Sequence, residues 1–287
     1  MKRKIALFLI ATMLMFSFTA CGNEKVDKDS TKVEEQDKNQ NEEEQNQEQD
    51  ENANQQEEVE KPQVNVISRY TFDNVDGTTV PDSGSNGYNG TSFGDPVVVE
   101  GKFGSALQLS GTNGVKVPVE AGTVGKQFTV SAWFKIEPGS PMRPYRIFSA
   151  GNWATNPAGY NLSIDTSYGK GCIIYSLGDS AGAPYWNRQT EFEARIMDSQ
   201  WHHVAIAFDL EGSIACGYLD GKLMDIMTIP STADVTLTSF NNLSIGGSDL
   251  ENPLGEAFVG TLDEVCVTDY FFTESDITYL MDNTLFE

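Results

Sequence analysis

Phe128-Thr129-Val130-Ser131-Ala132-Trp133-Phe134-Lys135 alternates strictly: Phe128, Val130, Ala132 and Phe134 share one side of an extended chain, and Thr129, Ser131, Trp133 and Lys135 the other. Successive side chains of a β-strand point to opposite faces, so the stretch reads as a half-buried strand. Val204, Ile206 and Phe208 alternate with Ala205, Ala207 and Asp209 in the same way. Asp220-Gly221 stands between Cys216-Gly217-Tyr218-Leu219 and Lys222-Leu223-Met224, and a two-residue turn of this kind closes a hairpin. The single helix expected lies near the C-terminus, where Thr273 caps, Asp276 follows three residues on, and Ile277, Leu280 and Met281 keep helical spacing. Strands in succession with glycine-rich turns, and no alternating long helices, predict an all-β sandwich of two antiparallel sheets with one short C-terminal helix.

This pattern starts at Val64; everything before it is different. Met1-Lys2-Arg3-Lys4 is basic and Ile5 to Ala20 is almost wholly apolar, the layout of a secretory signal peptide over 1–20. At about 16 residues the run falls short of the roughly 20 that cross a bilayer as a helix. Phe18-Thr19-Ala20-Cys21-Gly22 resembles a lipobox, with small residues before a cysteine that accepts a lipid, although Phe18 departs from the usual aliphatic residue. Cys21 is therefore the expected lipidation site, and acyl chains at roughly 0.8 kcal/mol per buried methylene would anchor the protein to the outer face of the cell membrane. From 21 to 63 the chain is Glu, Gln, Asn, Asp and Lys, with Val26, Val33 and Val59 its only sizeable apolar side chains. Such a stretch cannot bury enough surface to offset its ordering entropy and is expected to act as a disordered tether. As a flexible coil it spans roughly 35 Å, and fully stretched about 140 Å. The folded domain is then 64–287.

The formal net charge is −23 and no Lys/Arg-rich stripe is present, which disfavours nucleic acid and anionic membrane surfaces as partners. The membrane is reached through the lipid alone. Besides Cys21 there are Cys172, Cys216 and Cys266, an odd number whose spacing fits neither a zinc site nor a disulfide framework.

Further motifs bring a family into view. Tyr70-Thr71-Phe72-Asp73, Asp82-Ser83-Gly84-Ser85-Asn86-Gly87 and Gly101-Lys102-Phe103-Gly104-Ser105-Ala106-Leu107 are followed by the Phe128 to Phe134 stretch and by Trp201-His202-His203-Val204-Ala205. Tyr218-Leu219-Asp220-Gly221-Lys222, Ile245-Gly246-Gly247 and Phe258-Val259-Gly260-Thr261-Leu262-Asp263-Glu264-Val265 complete the order. Taken together, from Val66 to Leu280, the chain resembles a laminin-G-like domain of the concanavalin A-like lectin/glucanase superfamily. That resemblance implies a jelly-roll β-sandwich, one sheet curved, presenting a concave face or a loop rim to a glycan. It implies no activity, because one fold carries lectins, hydrolases, lyases and adhesion domains. It also implies calcium as a structural ion, with Asp73 and Asp263 at the matching positions and Asn89 or Asp82 adding an oxygen; the alternative is that these acids only hold backbone turns.

A retaining glycosidase needs two carboxyl groups about 5 Å apart. The resembled hydrolases carry them in a Glu-x-Asp-x-(x)-Glu run, which is missing here. Glu191-Phe192-Glu193 is the nearest approach and reads as a solvated acidic face. His202 and His203 are the only histidines; as neighbours on a strand they point to opposite faces and cannot converge on one proton or ion. The expectation is a non-catalytic domain.

Sugars stack their C–H faces on aromatic rings while amides and guanidinium groups bond their hydroxyls. Trp153, within Gly151-Asn152-Trp153-Ala154-Thr155-Asn156, and Tyr185, Trp186, Asn187 and Arg188 combine these groups in what read as loops, the usual place of recognition surfaces. Tyr160 and Tyr168 are weaker versions of the same case. Trp133 and Trp201 lie in strand motifs and read as core. Should the open face of the curved sheet be the site, Tyr175 of the Ile173 to Ser176 strand would take over. The function expected is a surface-displayed, monomeric carbohydrate-binding domain for an extracellular polysaccharide or glycoprotein glycan; a protein-binding adhesion domain is the alternative, and a hydrolase or lyase comes third.

Overall fold

The computed structural model describes residues 61–152, 156–167, 171–178, 184–192, 196–229, 243–247, 256–282 and 284–286. The expected leader, Cys21 and nearly all of the tether lie outside them. The strands are β1 (Val66–Tyr70), β2 (Thr79–Val80), β3 (Gly90–Phe93), β4 (Val97–Glu100), β5 (Ser105–Ser110), β6 (Gly114–Val117), β7 (Gln127–Lys135) and β8 (Pro144–Asn152). They continue as β9 (Asn156–Asp165), β10 (Gly171–Gly178), β11 (Pro184–Phe192), β12 (His202–Asp209), β13 (Ile214–Leu219), β14 (Lys222–Thr228), β15 (Leu243–Ile245) and β16 (Val259–Thr268). One helix, α1 (Glu274–Met281), follows.

Two antiparallel sheets result. The first runs β14-β13-β12-β7-β16-β5-β4, with β1 also paired to β16; the second runs β11-β10-β9-β8-β15-β6-β3-β2. This is the jelly-roll sandwich expected, and the quoted stretch is β7, at the centre of the first sheet. Phe128, Val130, Ala132 and Phe134 enter the core between the sheets, as do Val204, Ile206 and Phe208 of β12. From the second sheet Tyr160 meets Phe128 at 4.9 Å between ring centres, while Phe128 stacks on Phe208 at 4.6 Å. The buried Tyr160 hydroxyl donates to Gly122 O at 2.9 Å. Tyr160 is thus a core residue joining the sheets.

The Asp220-Gly221 hairpin forms between β13 and β14, with Leu219 opposite Lys222 and both turn residues at positive φ, 48° and 80°, as the tightest hairpin turns require. At the start of α1 the Asp276 carboxylate accepts the Thr273 N–H at 3.0 Å, which satisfies an orphan donor of the first turn. The helix and the segment around it close the outer face of the first sheet: Phe272, Ile277, Leu280 and Leu285 pack on Ala205, Ala207, Cys216 and Tyr218. Tyr218 donates its hydroxyl to Phe272 O at 3.0 Å, Thr129 donates to Tyr270 O at 2.6 Å, and Arg69 lies 3.8 Å over the Phe286 ring while holding Glu264 through two hydrogen bonds.

Cys172, Cys216 and Cys266 are buried and form no disulfide with one another. Cys216 on β13 and Cys266 on β16 have β12 and β7 between them, about 14 Å at ordinary strand spacing, beyond the roughly 7 Å that a disulfide spans. Trp133 is buried, but on the outer face of its sheet, under Phe103 and with Lys102 Nζ 4.4 Å from its ring, rather than between the sheets. Trp201 precedes β12, half-buried, with Lys135 Nζ 5.0 Å from its ring. The expectation that both tryptophans are core residues holds for Trp133, which is buried although alternation puts it on the face opposite Phe134 and Ala132, and not for the half-buried Trp201.

Candidate functional site

The second sheet separates apolar from polar by register. Val117, Leu243, Ala150, Tyr160 and Leu177 form one cross-strand row and Val115, Ile245, Phe148 and Leu162 another, and all of them belong to the core. The row between them, on the opposite face, is polar from end to end: Thr91, Lys116, Ser244, Ser149, Asn161, Ser176 and Asn187 are successive partners across β3, β6, β15, β8, β9, β10 and β11. A second outward row sets Arg146 beside Ser163 and Ile174, and a third sets Asp165 beside Cys172. The sequence carries a local trace of this face in Tyr160-Asn161-Leu162-Ser163-Ile164-Asp165, an apolar/polar alternation whose polar members all bear hydrogen-bonding groups.

Thr91 and Lys116 are exposed at one end of the polar row, whereas Ser149, Asn161, Ser163, Asp165 and Ser244 are each at most 3% exposed. Some of their hydrogen bonds within the protein are long: Ser149 Oγ to Gly151 O and Ser163 Oγ to Asn161 Oδ1 are both 3.4 Å, against 2.7 Å for Ser244 Oγ to Gly247 O. A hydroxyl offers one donor and two acceptor lone pairs, so Ser149 and Ser163 keep bonding capacity on this face. Arg146 is ion-paired with Glu256, and burial brings its guanidinium down to about 10, still charged at neutral pH.

The strand pairs nearest the Trp153 segment are described on both sides of it. Asn152 of β8 pairs with Asn156 of β9, and Gly159 pairs with Gly178, which in turn pairs with Pro184. The register shifts between Ala150 and Asn152, and Gly159, at φ 134°, has no room for a side chain because a Cβ would run into the Ala150 carbonyl oxygen. Trp153 falls between the paired Asn152 and Asn156, outside the described residues, as does Tyr168. Tyr185, Trp186, Asn187 and Arg188 do not form a loop. They belong to β11, the edge strand of the second sheet, because Pro184 to Phe192 follows β10 in antiparallel register. Asn187 falls in the polar row; Trp186 is opposite Leu177, and Arg188 is opposite Tyr175, itself opposite Leu162 of the core. Glu191 pairs with Cys172, and Glu193 lies outside the described residues.

Asp73 and Asp263 meet the same turn, Gly101 to Ser105, from two sides. Asp263 Oδ2 accepts the N–H groups of Lys102 and Phe103 at 2.8 and 3.0 Å, its Oδ1 accepts the Glu264 N–H at 2.7 Å, and Asp73 Oδ1 accepts that of Ser105 at 2.7 Å. Burial raises the Asp263 carboxyl to about 7 despite these bonds. Asp82 is used similarly, by the N–H groups of Arg69, Gly84 and Tyr88, and Asn89 Oδ1 accepts the Asp82 N–H. The four candidate calcium ligands thus brace backbone turns, and no cluster of three or more His, Cys, Asp or Glu side chains suited to a metal occurs among the described residues.

His202 and His203 face opposite ways, as their spacing predicts. His203 is 1% exposed and packs on Trp133 at 5.2 Å, and burial lowers its imidazole to about 4. His202 lies beside Phe134 and between Asp198 and Asp220, which, with its hydrogen bond to Asp220 first, raise its pKa.

Two antiparallel sheets packed face to face in this strand order form a jelly-roll sandwich. The chain is a member of the concanavalin A-like lectin/glucanases superfamily, whose family model matches residues 109–278. Among solved structures it is similar to domain 4 of an extracellular arabinanase from Geobacillus stearothermophilus, in complex with arabinotriose: 22% identity, TM-score 0.55, covering 76% of this chain and 99% of that one. It is similar also to the botulinum neurotoxin serotype D binding domain, at 15% identity and TM-score 0.55, covering 76% of this chain and 52% of that one. The type C toxin, whose cell entry depends on two ganglioside molecules, matches at 14% identity and TM-score 0.53, covering 77% of this chain and 51% of that one. This chain thus spans about half the length of those toxin chains. No curated protein matches it.

Proposed function

We propose that this protein is a cell-surface lipoprotein whose β-sandwich binds a glycan without acting on it chemically, and that the outer face of the second sheet, with the turns at its β8–β9 and β10–β11 end, is the binding surface. The observation that carries this is the polar row from Thr91 to Asn187. Hydroxyls and amides in register on a rigid sheet are suited to a ligand that is itself a ladder of hydroxyls, which would meet the row at its exposed members Thr91 and Lys116, with Ser149, Asn161 and Ser244 buried behind them. The arabinotriose bound to one structural neighbour and the gangliosides used by another support the choice of ligand class. Against catalysis stands the missing carboxylate run and the divergence of the two histidines.

A glycan array probed with 64–287, alongside Trp153→Ala, Trp186→Ala and Asn161→Ala variants, tests this. Wild-type domain that binds no glycan, with or without calcium, rules the reading out. Weaker binding by Asn161→Ala, compared well below its own melting temperature because Asn161 is buried, supports a ligand on this face, and weaker binding by Trp153→Ala supports the segment between Asn152 and Asn156 as part of the site. A reducing-sugar assay on pooled polysaccharides is expected to release nothing. Calcium is tested by melting in EDTA: a fall restored by calcium supports a structural ion, whereas the direct bonds from Asp73 and Asp263 to backbone N–H groups predict no change. Display depends on Cys21, so a fatty-acid analogue is expected to label the wild type and not Cys21→Ala.

A further inference from the structure

The connection that leaves β11 and enters β12 passes through a charged contact that glycan binding does not use. His202, the first residue of β12, has Nδ1 2.8 Å from Asp220 Oδ2 and Nε2 3.2 Å from Asp198 Oδ1. A carboxylate only accepts, and a neutral imidazole has a single N–H. In the neutral ring one of these two contacts would set a nitrogen lone pair against an anionic oxygen; in the imidazolium both are charge-assisted hydrogen bonds.

We propose that protonated His202 is a pH-sensitive clamp that ties the turn preceding β12, through Asp198, to the β13–β14 hairpin, through Asp220. The carboxylates are fixed in their own right. Asp220 Oδ1 accepts the His203 N–H at 2.9 Å, and the Asp220 N–H returns a bond to His203 O at 2.8 Å. Asp198 Oδ1 also accepts the Gln200 N–H at 2.8 Å, and the Ser199 N–H bonds Ile136 O at 3.2 Å. Ser199, at φ 65°, adds a hydroxyl bond to Glu137. The other charged or titratable groups around the clamp are few. His203 is buried on the far face, Glu137 is engaged by Ser199, and Lys135 lies over Trp201; Phe134 flanks the ring.

The two carboxylates raise the His202 pKa above 6.5, so the clamp is fully present below 6.5 and is lost as pH rises through the raised value. Acidic surroundings hold the turn that continues from β11; alkaline ones release it. The test is a proton titration of the full chain by NMR, which is simple to read because the chain has two histidines and His203 titrates far lower, near 4. Loss of one signal in His202→Gln assigns it. The expected result is a His202 midpoint above 6.5 that moves down in Asp220→Asn, which keeps the turn, and in Asp198→Asn. Melting temperature is expected to fall between pH 6 and 9 in the wild type and to lose that dependence in His202→Gln. A wild-type His202 midpoint at or below 6.5, read without any variant, overturns the clamp; so does a variant whose melting follows pH as the wild type does.

Discussion

The outer faces of the two sheets start from the same period-two alternation and come to opposite ends. On the first sheet, small residues such as Ala205 and Ala207 leave room for Phe272, Ile277 and Leu280, and the chain covers itself. On the second, the outward positions Ser149, Asn161, Ser163 and Ser244 are polar and each at most 3% exposed, while Thr91 and Lys116 of the same outward row are exposed. The difference teaches that whether an outer face carries apolar packing or hydrogen-bonding groups is set by the side chains that alternate away from the core, not by the strand signal itself. The same division explains why the aromatic ring on the first sheet's outer face, Trp133, lies under a turn.

The comparison can be broken most severely on the closed face. Phe272→Ala empties a fully buried site against Tyr218 and Ala205 and should cost about 3–5 kcal/mol in denaturant unfolding, while glycan affinity well below the melting temperature stays unchanged. A comparable loss of affinity would show that the two faces are not independent. Acid comes next. His203 has a folded pKa lowered to about 4, so its stabilising contribution is present above 6.5 and is lost as pH falls toward 4. The loss is of the order of 3 kcal/mol, and the acid limb of a stability–pH curve should be flatter in His203→Leu.

Effects on the polar face should be smaller and should appear in binding. Thr91→Val removes a hydroxyl at the exposed end of the polar row, so glycan affinity is expected to fall several-fold, about 1 kcal/mol, by titration calorimetry, with little change in melting. Smallest of all, Lys116→Gln at the exposed end of the polar row should leave stability within about 0.5 kcal/mol. A larger change there would mean that this end of the face is also structural.

The fold was legible wherever the determining contacts are local. Alternation in Phe128 to Lys135, the Asp220-Gly221 turn and the Thr273 cap each depend on residues a few positions apart, and β7, the β13–β14 hairpin and α1 stand where those signals put them. The site was legible only in part. Tyr185 to Gln189 reads as a loop because Asn, Arg and Gln interrupt the apolar residues, yet pairing with β10 makes it an edge strand, where polar residues are tolerated on the outward rows. Asn187 was singled out from composition; its partners Ser176, Asn161 and Ser149 were not, since isolated serines carry no chemical signature until strands align them.

By itself, then, the sequence determined the sandwich, the hairpin, the cap, the parity of β7 and β12 and the acidic segment ahead of the domain, because backbone preference and side-chain period act over a few residues. Tertiary structure alone decided which parity faces the core and what covers the other. Thr129 bonds Tyr270 and Arg69 bonds Glu264 across 141 and 195 residues of chain, and Thr91 and Asn187 reach one polar row through five strands that no local rule orders. Such long-range pairings are fixed by the one arrangement that buries both apolar faces at once, and the polar row is what that arrangement leaves outward.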